Sequence, residues 1–312
     1  MTNSKIISFT KMHGLGNDFV VVNDFKQPEL SLLTSDVIKK ICHRRFGVGA
    51  DQFLWIKKAH APNADARMEV FNQDGSQAQM CGNGIRAVGL FLSQQNPQKK
   101  EWIIETLAGL ITVWILDNNY VRVNMGVPVL GRGFEFLLNK KTSKNIISID
   151  HKNDHNNVHK NDHNNVHKND QKKLLFYEIS MGNPHCVIFT KNIQKIPLTK
   201  WGPLIETHRK FPDGVNVEFV EVGARKKSLK TSISIRIWER GAGETLACGT
   251  GACASVVTAL ALKFVTPDLT SKIKVYLPGG ELFIQWDGPG APVFMEGPAC
   301  FVFNGRINID LA

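Results

Sequence analysis

Two cysteines of this chain sit in nearly the same local setting. Residues 79–89 read QMCGNGIRAVG around Cys81, and residues 246–256 read LACGTGACASV around Cys248. Each cysteine precedes a Gly-x-Gly turn that leads into an apolar, helix-like run. A thiol just ahead of a helix N-terminus lies among unpaired backbone N–H groups and the positive end of the helix dipole, which stabilises a thiolate. The same N–H groups suit an anion such as a carboxylate, and Gly82, Gly84, Gly249 and Gly251 allow close backbone approach. Each stretch thus offers a candidate base beside a carboxylate cradle. Either turn alone is weak and could be a packed turn. The matched pair leaves open a disulfide, part of a metal site, two structural turns or two acid–base thiols. Neither matches the glycine pattern of a phosphate loop.

The elements that must position these residues are themselves duplicated. MEVFNQDGSQAQMCGNG (68–84) aligns without gaps to IRIWERGAGETLACGTG (235–251), pairing Asn72 with Glu239, Gln73 with Arg240 and Cys81 with Cys248. GNDFVVVND (16–24) parallels GNPHCVIFT (182–190) and aligns Asn17 with Asn183. GADQFLWI (49–56) loosely resembles GVNVEFVEV (214–222), setting Gln52 near Asn216. Three landmarks in the same order predict two homologous lobes. After each thiol turn a helix is expected, over IRAVGLFLSQQ and GACASVVTALALKF. Strand-like EWIIETLAGLITVWIL and YVRVNMG follow the first, and KIKVYLPGGELFIQW and APVFMEGPACFVF the second.

The expected fold is α+β: two pseudo-symmetric lobes, each a mostly antiparallel sheet wrapped around a central helix, with the active site in the interlobe cleft. The expected boundaries are 1–138 and 174–312, with residues 139–173 as an insert. If the two copies face inward, one thiolate can remove an α-proton while the opposite thiol delivers one to the other face. Hydrogen bonds to the substrate carboxylate would hold the carbanion charge.

Other features exclude more than they assign. Residues 151–170 read HKNDHNNVHKNDHNNVHKND, an octapeptide given twice and then half again. One apolar residue per repeat buries too little to offset ordering, so a disordered or loosely ordered surface loop is expected. Five of the chain's ten histidines lie there, but so perfect a repeat reads as sequence expansion rather than a metal site. Much of the lysine excess behind the net charge of +10 lies near the middle of the chain, between Lys140 and Lys173. With no RNA-binding signature, zinc finger or basic helix, no nucleic-acid partner is expected. The longest apolar run, ACASVVTALALKFV, is broken by Lys263 and reads as a buried helix, so no membrane role is expected. MTNSKIISFTKMHG lacks a signal region, which favours a cytoplasmic protein. There the six cysteines remain thiols; Cys42, Cys253 and Cys300 read as core residues and Cys186 as an inward strand residue.

FTKMHGLGNDFVVVND, MCGNGIRA, GNPHCVIF and WERGAGETLACGTGACAS together resemble the diaminopimelate epimerase family, over nearly the whole chain apart from the histidine-rich insert. The resemblance implies an epimerase that needs no pyridoxal cofactor and no metal, interconverting LL- and meso-diaminopimelate for lysine and peptidoglycan synthesis. It also implies a homodimer. By resemblance Cys81 and Cys248 are the acid–base thiols, assisted by His185 and Glu239. Asn17, Gln52, Asn72, Asn183, Asn216 and Arg240 look like the side chains that hold the substrate, and Gly82–Asn83 and Gly249–Thr250 like the backbone cradles. Ala87 departs from the many members that carry a further cysteine there. The nearest rival is another two-cysteine racemase acting on histidine, proline or hydroxyproline. Arg240 and the ring of amides favour a substrate with a second charged end. A thiol-redox protein that cycles a Cys81–Cys248 pair is a third reading.

Overall fold

A computed structural model describes residues 4–26, 33–139, 146–150, 171–223, 231–267 and 269–310. Its contacts divide the chain into two units, Met1–Asn124 with Met295–Ala312, and Met125–Phe294.

The first unit runs β1 (Ser4–Gly14), β2 (Asn17–Asn23), α1 (Ser35–Cys42), β3 (Gln52–Lys57), β4 (Ala66–Asn72), β5 (Gln77–Ala78), α2 (Gly82–Gln95), β6 (Glu101–Thr106), β7 (Gly109–Ile115) and β8 (Tyr120–Asn124). The second runs β9 (Val129–Asn139), β10 (Ile146–Asp150), β11 (Gln171–Ser180), β12 (Pro184–Phe189), α3 (Leu198–Glu206), β13 (Asn216–Val222), β14 (Ser232–Glu239), β15 (Gly243–Thr245), α4 (Gly249–Ala261), β16 (Ile273–Leu277), β17 (Gly280–Trp286) and the start of β18 (Val293–Pro298). β19 (Cys300–Asp310) then belongs to the first unit.

Registers confirm the duplication read from the sequence. β2 lies parallel to β3 with Phe19 opposite Gln52, and β12 parallel to β13 with His185 opposite Asn216. β3 pairs antiparallel with β4, placing Phe53 opposite Phe71, as β13 pairs with β14, placing Val217 opposite Trp238. Phe71 faces Gln77 in β5, as Trp238 faces Glu244 in β15. Gln52 and Asn216 thus hold equivalent places.

Each sheet is covered on both faces, so β3 and β13 have consecutive buried residues instead of one buried and one open face. Along β3, Phe53 and Trp55 join Val37, Ile38 and Ile41 of α1 in one core; Leu54 lies against α2, close to Gly84. Along β13, Val217 and Phe219 join Leu198 and Ile205 of α3; Glu218 lies against α4, close to Gly251. α2 and α4 are buried through most of their length, as central helices must be. No helix among the described residues is long and apolar enough to cross a membrane.

The boundaries differ from those expected at 138 and 174. β9 pairs antiparallel with β11, so the chain has entered the second unit by Met125; β19 pairs with β1, so it has returned by Met295. Each unit therefore includes the last strand of the other repeat. The expected insert is also partly strand: β10 pairs with β9 from Ile146 to Asp150, and β11 begins at Gln171. The octapeptide repeats themselves, and the expectation of disorder made for them, lie outside the described residues. All six cysteines are free thiols. Cys42, Cys186 and Cys253 are buried, whereas Cys300, expected in the core, is only half-buried at the head of β19.

Candidate active site

The first half-site is built on the ends of β2, β3 and β4 and the head of α2. Cys81 is extended (φ −135°, ψ 116°) and N-caps α2, with Sγ accepting the Gly84 N–H at 3.3 Å. Gly82 and Asn83 form the first helical residues. The Asn17 Oδ1 lies 3.7 Å from the Cys81 thiol and accepts from Asn83 Nδ2 at 3.3 Å. Gln52 Nε2 donates to Asn72 Oδ1 at 3.0 Å, across a facing β3–β4 pair.

A charged cluster absent from the sequence reading aims Asn17. Asp51 Oδ2 accepts from Asn17 Nδ2 at 3.1 Å, which leaves Oδ1 for the thiol side. Arg44 Nη2 bridges Asp18 and Asp51, and Lys11 Nζ pairs with Asp18 at 2.5 Å. Burial raises the Asp18 carboxyl, but hydrogen bonds from Arg44 and Lys11 outweigh it and hold Asp18 well below the usual carboxylate range. The signal lay in sight: Asp18 and Asp51 are the neighbours of Asn17 and Gln52.

The second half-site repeats the frame with different groups. Cys248 (φ −122°, ψ 116°) precedes α4 and is buried; Gly249 and Thr250 open the helix. Thr250 Oγ1 lies 3.4 Å from the Cys248 Sγ and accepts from Asn183 Nδ2 at 3.4 Å. Asn183 Oδ1 lies 3.1 Å from His185 Nε2, and His185 Nδ1 lies 2.7 Å from Glu218 Oε1. Glu239, at the end of β14, accepts from Thr245 Oγ1 and from the Cys248 thiol. Withdrawal from water pushes Glu239 up against those bonds.

Burial, then the Glu239 charge, push the Cys248 thiol well above its ordinary value, against the Thr250 hydrogen bond. The thiolate expected from the helix end alone is therefore outweighed there by desolvation. Asn216 and Arg240 are brought together differently from the rest. Asn216 donates to Pro184 O and accepts from the Arg240 N–H, both at 3.0 Å, while the exposed guanidinium donates to Asp213 O.

Across the whole chain the fold resembles a hydroxyproline epimerase from Agrobacterium vitis, with a TM-score of 0.67 at 13% identity, covering 99% of this chain and 94% of that one. It also resembles a phenazine biosynthesis protein of the PhzF family from Bacillus anthracis, with a TM-score of 0.65 at 14% identity, covering 98% and 100%. At such identity these likenesses speak for the fold. The model of the family described as diaminopimelate epimerase matches residues 9–131 and 177–302. Fold and match define the class: the protein is an isomerase, an amino-acid epimerase. Diaminopimelate epimerase of Carboxydothermus hydrogenoformans is 44% identical over 96% of this chain and 99% of its own length, and that of Teredinibacter turnerae 39% identical over 97% and 99%. The chain belongs to the diaminopimelate epimerase family.

Proposed function

We propose that this protein interconverts LL- and meso-diaminopimelate with Cys81 and Cys248 as its two acid–base groups, without a cofactor, in the supply of lysine and peptidoglycan precursors. The observation that carries the reading is the matched pair of thiols, each heading the central helix of its own repeat. Proton removal from an α-carbon beside a carboxylate needs a base on one face, and inversion needs an acid on the other. Cys248 rests as the protonated thiol, since burial and the Glu239 carboxylate both disfavour its anion. It is thus the proton donor for whichever epimer Cys81 attacks, and the roles exchange for the other.

The N–H groups of Gly82–Asn83 and Gly249–Thr250 hold the α-carboxylate and stabilise charge that spreads into it during proton transfer. Asn17, Gln52, Asn72, Asn183 and Asn216 orient the substrate by hydrogen bonds, and the exposed Arg240 guanidinium reads its distal carboxylate. His185 and Glu239 set the environment of Cys248.

The test is incubation with LL-diaminopimelate in D2O, under reductant and without pyridoxal phosphate. The expected products are the meso isomer and deuterium at one α-carbon. Folded protein that yields neither overturns the proposal. Cys81→Ala and Cys248→Ala should each lower turnover by roughly 10³-fold or more, since a positioned acid or base contributes about 10²–10⁴. Near-normal turnover in either variant removes that thiol from the mechanism.

A further inference from the structure

The two half-sites share a frame but differ at one buried pair. In the first unit the positions facing α2 from β2 and β3 hold Phe19 and Leu54, both fully buried. In the second unit the equivalent positions on β12 and β13 hold His185 and Glu218. The equivalence rests on register, with Phe19 opposite Gln52 and His185 opposite Asn216. It rests also on the helices: a Cβ added to Gly84 would stand 3.1 Å from Leu54 Cδ2, and one added to Gly251 would stand 2.7 Å from Glu218 Oε1. The same place against the central helix is apolar in one copy and a carboxylate in the other.

A carboxylate there does not serve the fold. Glu218 and His185 have no exposed side-chain surface, and Glu218 Oε2 has no hydrogen-bond partner among the described residues. Burying an ion pair generally costs about as much as it returns, and apolar residues of similar volume often do better. The first unit shows that Phe and Leu fill the same space. What Glu218 supplies instead is direction. An ionised carboxylate only accepts, so it requires the proton on Nδ1 of His185 and fixes the ring. Nε2 is then presented to Asn183 Oδ1, Asn183 Nδ2 reaches Thr250, and Thr250 reaches the Cys248 thiol.

We infer that Glu218 is a positioning residue of the reaction, which holds His185 with Nδ1 protonated and Nε2 toward Asn183, and through Asn183 and Thr250 orders the Cys248 side of the site. The inference rests on the epimerase reading proposed above. Its reach is one-sided, because Phe19 and Leu54 stand in the places of the pair on the Cys81 side.

The test compares wild type, Glu218→Gln, His185→Phe and His185→Phe/Glu218→Leu. The double variant copies the packing of the first unit, so it should fold and melt at or above the wild-type temperature. Glu218→Gln should lower kcat by roughly 10- to 100-fold, the scale on which orienting partners act, while KM changes little. The double variant should turn over no more slowly than His185→Phe, since Glu218 acts only through the imidazole. In 15N-histidine-labelled protein the hydrogen-bonded Nδ1–H of His185 should give a slowly exchanging downfield proton signal that moves upfield in Glu218→Gln, whose uncharged amide oxygen is the weaker acceptor. Wild-type kcat in Glu218→Gln, an unchanged imidazole signal, or a double variant that melts well below wild type would each overturn the inference. So would independent losses that multiply in the double variant. If wild type does not turn over diaminopimelate, the proposed function falls, and the imidazole signal with the melting temperatures still decides whether Glu218 orders His185.

Discussion

At the scale of residues, the two thiols share a backbone setting and differ in electrostatics. Cys248 lies buried beside Glu239, so its anion is disfavoured by desolvation and by a neighbouring negative charge. Removing that charge must move the thiol down. Glu239→Gln should therefore bring the pH profile of Cys248 alkylation to lower pH and leave that of Cys81 in place. Peptide mapping after brief iodoacetamide treatment measures both, and a Cys248 profile that stays or moves up refutes the assignment. The sequence exposed these residues wherever a local signal was repeated: Cys-Gly-x-Gly twice, Gly-Asn twice, Asn72 against Glu239. It hid Glu218, which reads as an ordinary strand glutamate in NVEFVEV. The signal was present all the same, since aligning Gln52 with Asn216 sets Leu54 against Glu218, an apolar residue against a carboxylate.

At the scale of elements, each thiol depends on a sheet covered on both faces. The outer helix of the second unit, α3, closes on β14 through Gly202, where an added Cβ would stand 2.4 Å from the ring of Trp238. Trp238 cannot retreat freely, because its Nε1 donates to Glu206 at 2.7 Å. Gly202→Ala should destabilise the protein by about 1–3 kcal/mol through overpacking, read from denaturant unfolding; unchanged stability would mean that α3 can shift outward. The helices α2 and α4 were legible because a thiol turn marks their start and apolar residues fill them. Two-sided burial was not, since QFLWIK and NVEFV are apolar or mixed runs without a period that separates the faces. The exchange of β9 and β19 was beyond local reading altogether, because neither the pairing of β9 with β11 nor that of β19 with β1 across almost the whole chain leaves a mark at the strands themselves.

At the scale of the whole molecule, the octapeptide tract is a span as well as a repeat. β10 and β11 both pair with Phe134–Leu138 of β9, so they flank it; Asp150 stands opposite Phe134 and Gln171 opposite Asn139. Joining those ends takes about 17 Å along the strand and about 10 Å across two interstrand gaps, or roughly 20 Å in all. At about 3.5 Å per extended residue this needs at least about six residues. Excising residues 151–158 leaves twelve and should change stability by no more than about 0.5 kcal/mol. Excising residues 151–170 cannot leave both strands in register and should lower the melting temperature. Equal melting of the two deletions would show that β10 contributes nothing. The return of β19 to β1 has a different outcome for how the protein is made. On the ribosome the second unit holds all its strands through Phe294 before the first receives β19. The first-made sheet is thus the last completed, and β1 waits with an open edge on the order of tens of seconds at ordinary synthesis rates, a stretch in which its backbone is open to a wrong partner.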